Sequence, residues 1–277
     1  MAGPTDTLNQ ALGTWQLWDL PQPLQQAPHC GTPLAHGSAH IVYEIHTEPQ
    51  AALQLVARVR QRATRTESES CAREIEIWSA ASAAGCAPRL VYADAIGEVT
   101  VCHHANTLDK PATGLELGTL CQHIHALPPV DHSLDLKVEI AGYLETMAPD
   151  QRNAWQRVMQ QCDVDASLRL LDQDEHYLCH NDLTAGNLMR SRDRLIAIDW
   201  EYAAMGSRYF DLAIAGQGLC PDERPELIRS VLGDELDLAL MSAGQRAASL
   251  ITALWQNRYE PAAAPNPHTW RGEALAR

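Results

Sequence analysis

The sequence predicts an α+β fold in two lobes, a small antiparallel sheet with one helix over residues 1–104 and a larger, mainly helical lobe over residues 105–277. Two observations predict it. Short alternating or apolar runs of strand length dominate before His104, and longer segments of helical spacing dominate after it. The chain of 277 residues has material enough for one large domain or two modest lobes.

In chain order, residues 1–30 are rich in Gln, Pro and Leu, and Leu8, Leu12, Trp15 and Trp18 have rough helical spacing, so a short helix packs on the first lobe. Pro33 to His40 and then Ile41-Val42-Tyr43-Glu44-Ile45 read as strand, turn, strand. Leu53 to Arg60 is a third strand, with Leu55, Ala57 and Val59 on one face and Val56, Arg58 and Arg60 on the other. A helix starts near Thr66-Glu67-Ser68-Glu69, a capping-box pattern, and runs on Cys71, Ile75, Trp78 and Ser82 to Gly85, with Pro88 beyond. Leu90-Val91-Tyr92 and Val99-Thr100-Val101-Cys102 add two strands, and His103 to Leu108 is the expected linker.

In the second lobe Leu117, Leu120, Cys121, Ile124 and Leu127 have helix spacing. Residues 135–172 make one or two helices with Trp155, Val158, Met159 and Cys162 on one face. Helices are also expected over Pro225 to Leu240 and Gln245 to Trp255, followed by an irregular tail with three prolines between Pro261 and Pro267.

Between these helices lies the stretch that carries chemistry. The apolar Tyr177-Leu178-Cys179 leads as a buried strand into His180-Asn181-Asp182-Leu183-Thr184-Ala185-Gly186-Asn187, and a second apolar strand, Leu195-Ile196-Ala197-Ile198, ends on Asp199. Phosphoryl transfer needs such a set: an Asp to accept the proton of an attacking hydroxyl, and an Asn and a second Asp to hold magnesium on nucleotide phosphates. His180, Asp182 and Asn187 match the spacing H-x-D-x-x-x-x-N of the protein-kinase catalytic loop.

With Ile198-Asp199-Trp200-Glu201-Tyr202-Ala203 and Phe210-Asp211-Leu212-Ala213, residues 177–213 resemble the choline/ethanolamine kinase and aminoglycoside phosphotransferase superfamily. The resemblance is weaker elsewhere. It implies a protein-kinase-like bilobal fold, with ATP and Mg2+ as cofactors. Asp182 is then the catalytic residue, His180 a brace for the loop, and Asn187 and Asp199 the metal ligands. Asp211 is similar to the family Asp that supports the loop, and His125, before a Pro-containing turn, is similar to a structural family histidine. The first hairpin resembles the nucleotide-covering hairpin, so Gly37 and Ser38 would offer backbone N–H groups to phosphate; with one glycine there, a plain hairpin turn fits as well. Val56-Ala57-Arg58-Val59-Arg60 resembles the choline-kinase version of the phosphate-binding strand, with Arg58 preferred over Arg60. Glu74 is its expected helix partner, with Glu67, Glu69 and Glu76 as alternatives. Glu201 and Trp200, beside the metal site, are the expected substrate contacts. Trp255 and Tyr259 are further aromatic candidates; a core position is the alternative for both tryptophans and the favoured one for Trp255.

A net charge of −14 argues against nucleic acid and against an anionic membrane surface as partners. None of the eight cysteines forms a C-x-x-C pair, and most have apolar neighbours, as buried thiols in a reducing compartment do. Met1 to Leu20 carries no Lys or Arg and no continuous apolar core, and no run approaches the ~20 residues of a membrane span, so a cytoplasmic monomer or homodimer is expected. His176 and His180, four apart in a strand, would stand roughly 13 Å from each other, too far to share zinc. No G-x-S-x-G elbow exists, and Gly216-Gln217-Gly218 lacks a third glycine and follows a helix. A protein kinase is excluded by length, because Trp200 to Phe210 leaves no room for an activation segment. A nucleotide-binding module without catalysis would lack a catalytic residue, and none is missing. The resemblance of Ile198 to Ala203 to choline and thiamine kinases implies a small-molecule kinase acting on a cationic alcohol, with a non-catalytic nucleotide-binding module as the lesser alternative. Choline or ethanolamine ranks first, thiamine second, and aminoglycosides and amino sugars follow.

Overall fold

The computed structural model describes residues 4–37, 40–47, 53–61, 68–94, 97–262 and 264–272. The chain divides into two compact units, Met1–Leu108 with Met189–Glu201, and Asp109–Leu188 with Tyr202–Arg277.

The first unit is built on a five-stranded antiparallel sheet of order β1-β2-β3-β5-β4, formed by His29–His36, His40–His46, Leu55–Arg60, Leu90–Ala93 (β4) and Val99–His103 (β5). Strand β3 follows its alternation: Leu55, Ala57 and Val59 are buried, while Val56, Arg58 and Arg60 lie half-buried on the other face. The buried face packs with Val91, Val99 and Val101 against Leu8, Leu12 and Trp18, so helix α1 (Pro4–Gly13) and the turn after it close this core. Helix α2 (Ser68–Ala83) ends at Gly85, whose φ of +76° suits glycine. Thr66 and Glu67 of the expected capping box lie outside the described residues. The buried stripe of α2 is Cys71, Glu74, Ile77, Trp78 and Ala81, so an acid sits on the inner face.

The division expected at 104/105 falls at 108/109, and it is not the only one. Met189–Glu201 joins the sheet unit instead of the helical one. Its hairpin, β7 (Leu188–Ser191) with β8 (Arg194–Ala197), is tied there by backbone bonds: Asn106 and Arg190 exchange bonds of 2.9 and 2.7 Å, and Ala197 N donates to Cys86 O at 2.8 Å.

The second unit is mainly helical: α3 (Gly114–His125), α4 (Leu136–Glu145), α5 (Pro149–Gln161), α6 (Val164–Asp172), α7 (Arg208–Gln217), α8 (Arg224–Leu232) and α9 (Leu238–Tyr259). Thr113 and Glu116 form a capping box at α3, and Asp135 and Asp237 cap α4 and α9. Residues 135–172 make three helices where one or two were expected. Pro149 opens α5, and Asp163, at φ +48°, breaks the chain before α6. The helix expected over 225–240 stops at Leu232, because Gly233 takes a positive φ and Asp237 starts a new helix. Helices α7 and α9 pack closely at Gly244, where a Cβ would run into the Tyr209 carbonyl. A short antiparallel pair, β6 (His176–Cys179) with β9 (Ala204–Ser207), delivers the loop that follows Cys179.

No disulfide forms among the described residues, and Cys71, Cys86, Cys102, Cys121 and Cys179 are buried. Among the described residues no helix is long and apolar enough to cross a membrane.

Candidate active site

In the first unit the expected residues converge on Arg58. Because β3 points its odd-numbered residues into the core, Arg58 projects from the opposite face. Its Nη1 donates to Glu74 Oε1, and its Nη2 donates to Asp199 Oδ1 at 2.8 Å. The Arg58 and Glu74 side chains are 13% and 7% exposed, and Asp199 is 38% exposed, so a largely dry ion pair ends in a carboxylate that reaches solvent. Burial alone would lower the Arg58 pKa, but the charges of Glu74 and Asp199, the bond to Glu74 and the charge of Glu201 together raise it. Arg60 Nη2 stands 3.9 Å from Glu74 Oε2. Of the two arginines, Arg58 therefore joins the helix acid to the acid at the end of the β8 run. Of the alternatives to Glu74, Glu76 is exposed, while Glu67 and the Glu69 side chain lie outside the description.

Asp199 has φ +65°, a left-handed conformation that a non-glycine residue adopts at a cost, and the chain reverses there as it leaves Ile198. Gly37 N donates to His40 O at 2.8 Å, closing the first hairpin turn; Ser38 lies outside the described residues. Glu201 is exposed. Trp200 corrects its expected substrate role: it is 1% exposed and its Nε1 donates to Ala197 O at 3.3 Å, so it has no ring face to offer a ligand.

In the second unit β6 brings the chain to His180, which is fully buried. Asn181 follows at φ +64° and is held from two sides: its N–H donates to Asp211 Oδ1 at 2.7 Å, and its Nδ2 donates to Tyr202 O at 3.0 Å. Asp211, in the first turn of α7, also meets His125 Nε2 at 2.8 Å. Burial would raise the Asp211 carboxyl, but the His125 hydrogen bond, the charges of His125 and His180 and the Asn181 N–H outweigh it and hold the group below its ordinary value. Beyond this strained residue, Asn187 Nδ2 donates to Asp182 O at 2.9 Å and to Asp182 Oδ2 at 2.7 Å. With its nitrogen spent on Asp182, Asn187 presents its carboxamide oxygen as the remaining ligand atom.

His125, Cys179 and Asp211 bring donor atoms within 4.8 Å of one another. Burial drives the Cys179 thiol up, and Asp211 is already committed to His125 and Asn181, so this group is a hydrogen-bonded support in place of a metal centre.

Two features escaped the sequence reading. Tyr143 of α4 feels Asp182: its phenol is pushed up to about 12 by burial and by the charges of Glu139 and Tyr259, with Arg258 opposing and Asp182 adding. The Trp255 and Tyr259 rings meet tilted at 42° with 5.4 Å between centroids and are 40% and 52% exposed, so Trp255 is not a core residue. The other feature is His40, whose Nδ1 lies 3.2 Å from Arg58 Nη2. The strand register places it there: His40 pairs with Arg60 and Val42 with Arg58, which puts His40 and Arg58 diagonally on one face.

The sheet unit with a buried Arg–Glu pair and the helical unit with an Asp…Asn loop define a protein-kinase-like phosphotransferase. The chain belongs to the Phosphotransferase enzyme family (APH), whose sequence pattern matches residues 31–249. A protein LicA homolog of Metamycoplasma hominis is 30% identical over 95 residues, which are 34% of this chain and 38% of that protein, little more than a third of its length. In structure the chain is similar to choline kinase LicA from Streptococcus pneumoniae, with a TM-score of 0.63 and 15% identity over 94% of this chain and 92% of that one. It is equally similar to LicA in complex with AMP, with a TM-score of 0.63 and 15% identity over 94% of this chain and 91% of that one. At these identities the structural likeness establishes the fold.

Proposed function

We propose that this phosphotransferase is an ATP- and Mg2+-dependent kinase that moves the γ-phosphate to a hydroxyl of a small cationic alcohol of the choline/ethanolamine class. The observation that carries the kinase reading is the Arg58 guanidinium joined to both Glu74 and Asp199. Kinases place a cation on this strand, paired with the helix acid, to meet the α- and β-phosphates. The complex of LicA with AMP supports a nucleotide on this fold.

The first unit offers the Asp199 carboxylate, which reaches solvent, and the second the Asn187 carboxamide oxygen, each a hard ligand of the kind magnesium takes. Magnesium, when bound, neutralises charge on the nucleotide phosphates. Arg58 adds positive charge there; the Gly37 N–H, expected to meet phosphate, is instead committed to His40 O. Asp182 orients the substrate hydroxyl and accepts its proton, with Asn187 Nδ2 fixing the carboxylate through Oδ2. His180 braces the loop without exchanging protons. Asp211 and His125 keep Asn181 in its left-handed turn, and so set where Asp182 begins.

Aromatic faces and carboxylates are what holds an organic cation. The exposed Tyr259 and Trp255 supply the faces, and Glu139, beside the buried Tyr143, the charge. Glu201, exposed beside Asp199, is a further acidic contact. A coupled ATP-consumption assay over choline, ethanolamine, thiamine, an aminoglycoside and amino sugars tests the reading. Turnover is expected with choline or ethanolamine and magnesium. Turnover of an uncharged sugar with none of the cations accepted would defeat the cationic-alcohol proposal and leave the family assignment standing.

A further inference from the structure

Arg58 has a third partner. An arginine only donates, so His40 Nδ1, 3.2 Å from Arg58 Nη2, is the acceptor, and the ring proton belongs on Nε2. The two Nη2 hydrogens are then both used, one on Asp199 Oδ1 and one on His40, while Nη1 binds Glu74. Acceptors on both terminal nitrogens fix the rotation of the planar guanidinium as well as its position. His40 is also the residue that closes the hairpin turn, accepting from Gly37 N at 2.8 Å, and Gln61 Nε2 ties the Gly37 carbonyl at 2.8 Å. One residue thus links the turn to the guanidinium.

We propose that His40 is a positioning residue: its neutral imidazole holds the Arg58 guanidinium in the orientation that receives nucleotide phosphate, and ties that orientation to the turn at Gly37. The inference rests on the kinase reading for its ligand. Burial, then the charges of Arg58 and Arg60, depress the imidazole to about 3, which agrees with a neutral acceptor throughout the physiological range. In a hairpin with a single glycine, a side chain that locks the cation supplies order that additional backbone donors would otherwise give.

The test has two arms. Nitrogen-detected NMR of the imidazoles in the nucleotide-free wild-type chain should show His40 protonated on Nε2 and bare on Nδ1; a proton on Nδ1 overturns the proposal. His40→Leu should raise the Kd for Mg-ATP, measured calorimetrically without acceptor, and the KM for ATP by about tenfold, the size of one hydrogen bond to a charged group. The kcat should change less than about threefold, and His40→Asn, which returns an acceptor near Nδ1, should restore most of the affinity. A nucleotide Kd unchanged in His40→Leu also overturns it. If the wild type accepts none of the cationic alcohols, the substrate reading fails while the nucleotide Kd still decides His40. If the wild type binds no nucleotide, the kinase reading fails and the tautomer decides the His40–Arg58 bond.

Discussion

In the first unit the candidate site is a knot of charge. Arg58, 13% exposed, is shared among Glu74, Asp199 and His40, and its order comes from ion pairs taken largely out of water. In the second unit order comes from the backbone: Asn181 is held left-handed by Asp211 and Tyr202, and Asp182 and Asn187 are aimed by the turn that follows. The two arrangements suit different tasks. A phosphate neutraliser must carry full charge yet not collapse onto one neighbour, which several acceptors prevent. A proton acceptor needs a fixed direction, which a rigid turn supplies.

The comparison can be broken at three places. The largest effect is expected at Asp182. Asp182→Asn should lower kcat roughly 10²–10⁴-fold, since the proton-accepting role disappears, while the thermal transition stays near that of the wild type. Near-normal turnover would remove Asp182 from the chemistry. Next is Arg58→Met, which takes the closer of two cations from buried Glu74 and leaves it Arg60 at 3.9 Å. A loss of about 3–5 kcal/mol is expected in chemical denaturation, together with weaker nucleotide binding. A stable variant would show that the charged knot contributes little to folding.

Smaller is Asp211→Asn, expected to cost about 2–3 kcal/mol because two buried donors lose a charged acceptor. Its pH dependence follows from the lowered pKa. A carboxyl whose folded value lies below its ordinary 3.8 contributes fully above that value and loses the contribution as pH falls through the folded one. Wild type and Asp211→Asn should therefore differ in stability near neutrality and converge in the acid range below about pH 4. Parallel stability curves down to the lowest pH would contradict the role given to Asp211.

Much of this was legible in the chain. Spacing picked out Asp182 and Asn187 as candidates, the end of an apolar strand picked out Asp199, and strand parity put Arg58 on the face opposite the core of β3. Glu74 was legible as one acid among several on a helix; burial singled it out, because the observed stripe runs through Cys71, Glu74 and Ile77 where the apolar pattern suggested Cys71 and Ile75. Trp200 misled because an aromatic beside a candidate metal ligand looks like a ligand face, whereas after the left-handed turn at Asp199 its ring folds back onto Ala197. His40 and Tyr143 were illegible as site residues. Each acquires its meaning from a partner distant in sequence, Arg58 for one and the charge of Asp182 for the other. The joining of Met189–Glu201 to the sheet unit depends on backbone pairing of Asn106 with Arg190, which no side-chain pattern announces.

The central claim is that a phosphoryl group passes from ATP to the hydroxyl of a cationic alcohol. Phosphorus NMR of the wild-type chain incubated with ATP, magnesium and choline or ethanolamine tests it most directly. The expected result is loss of the γ-phosphate signal with equal growth of a phosphomonoester signal, dependent on both magnesium and the alcohol. Conversion of the γ-phosphate to inorganic phosphate alone, or an unchanged spectrum with both alcohols, would contradict the account.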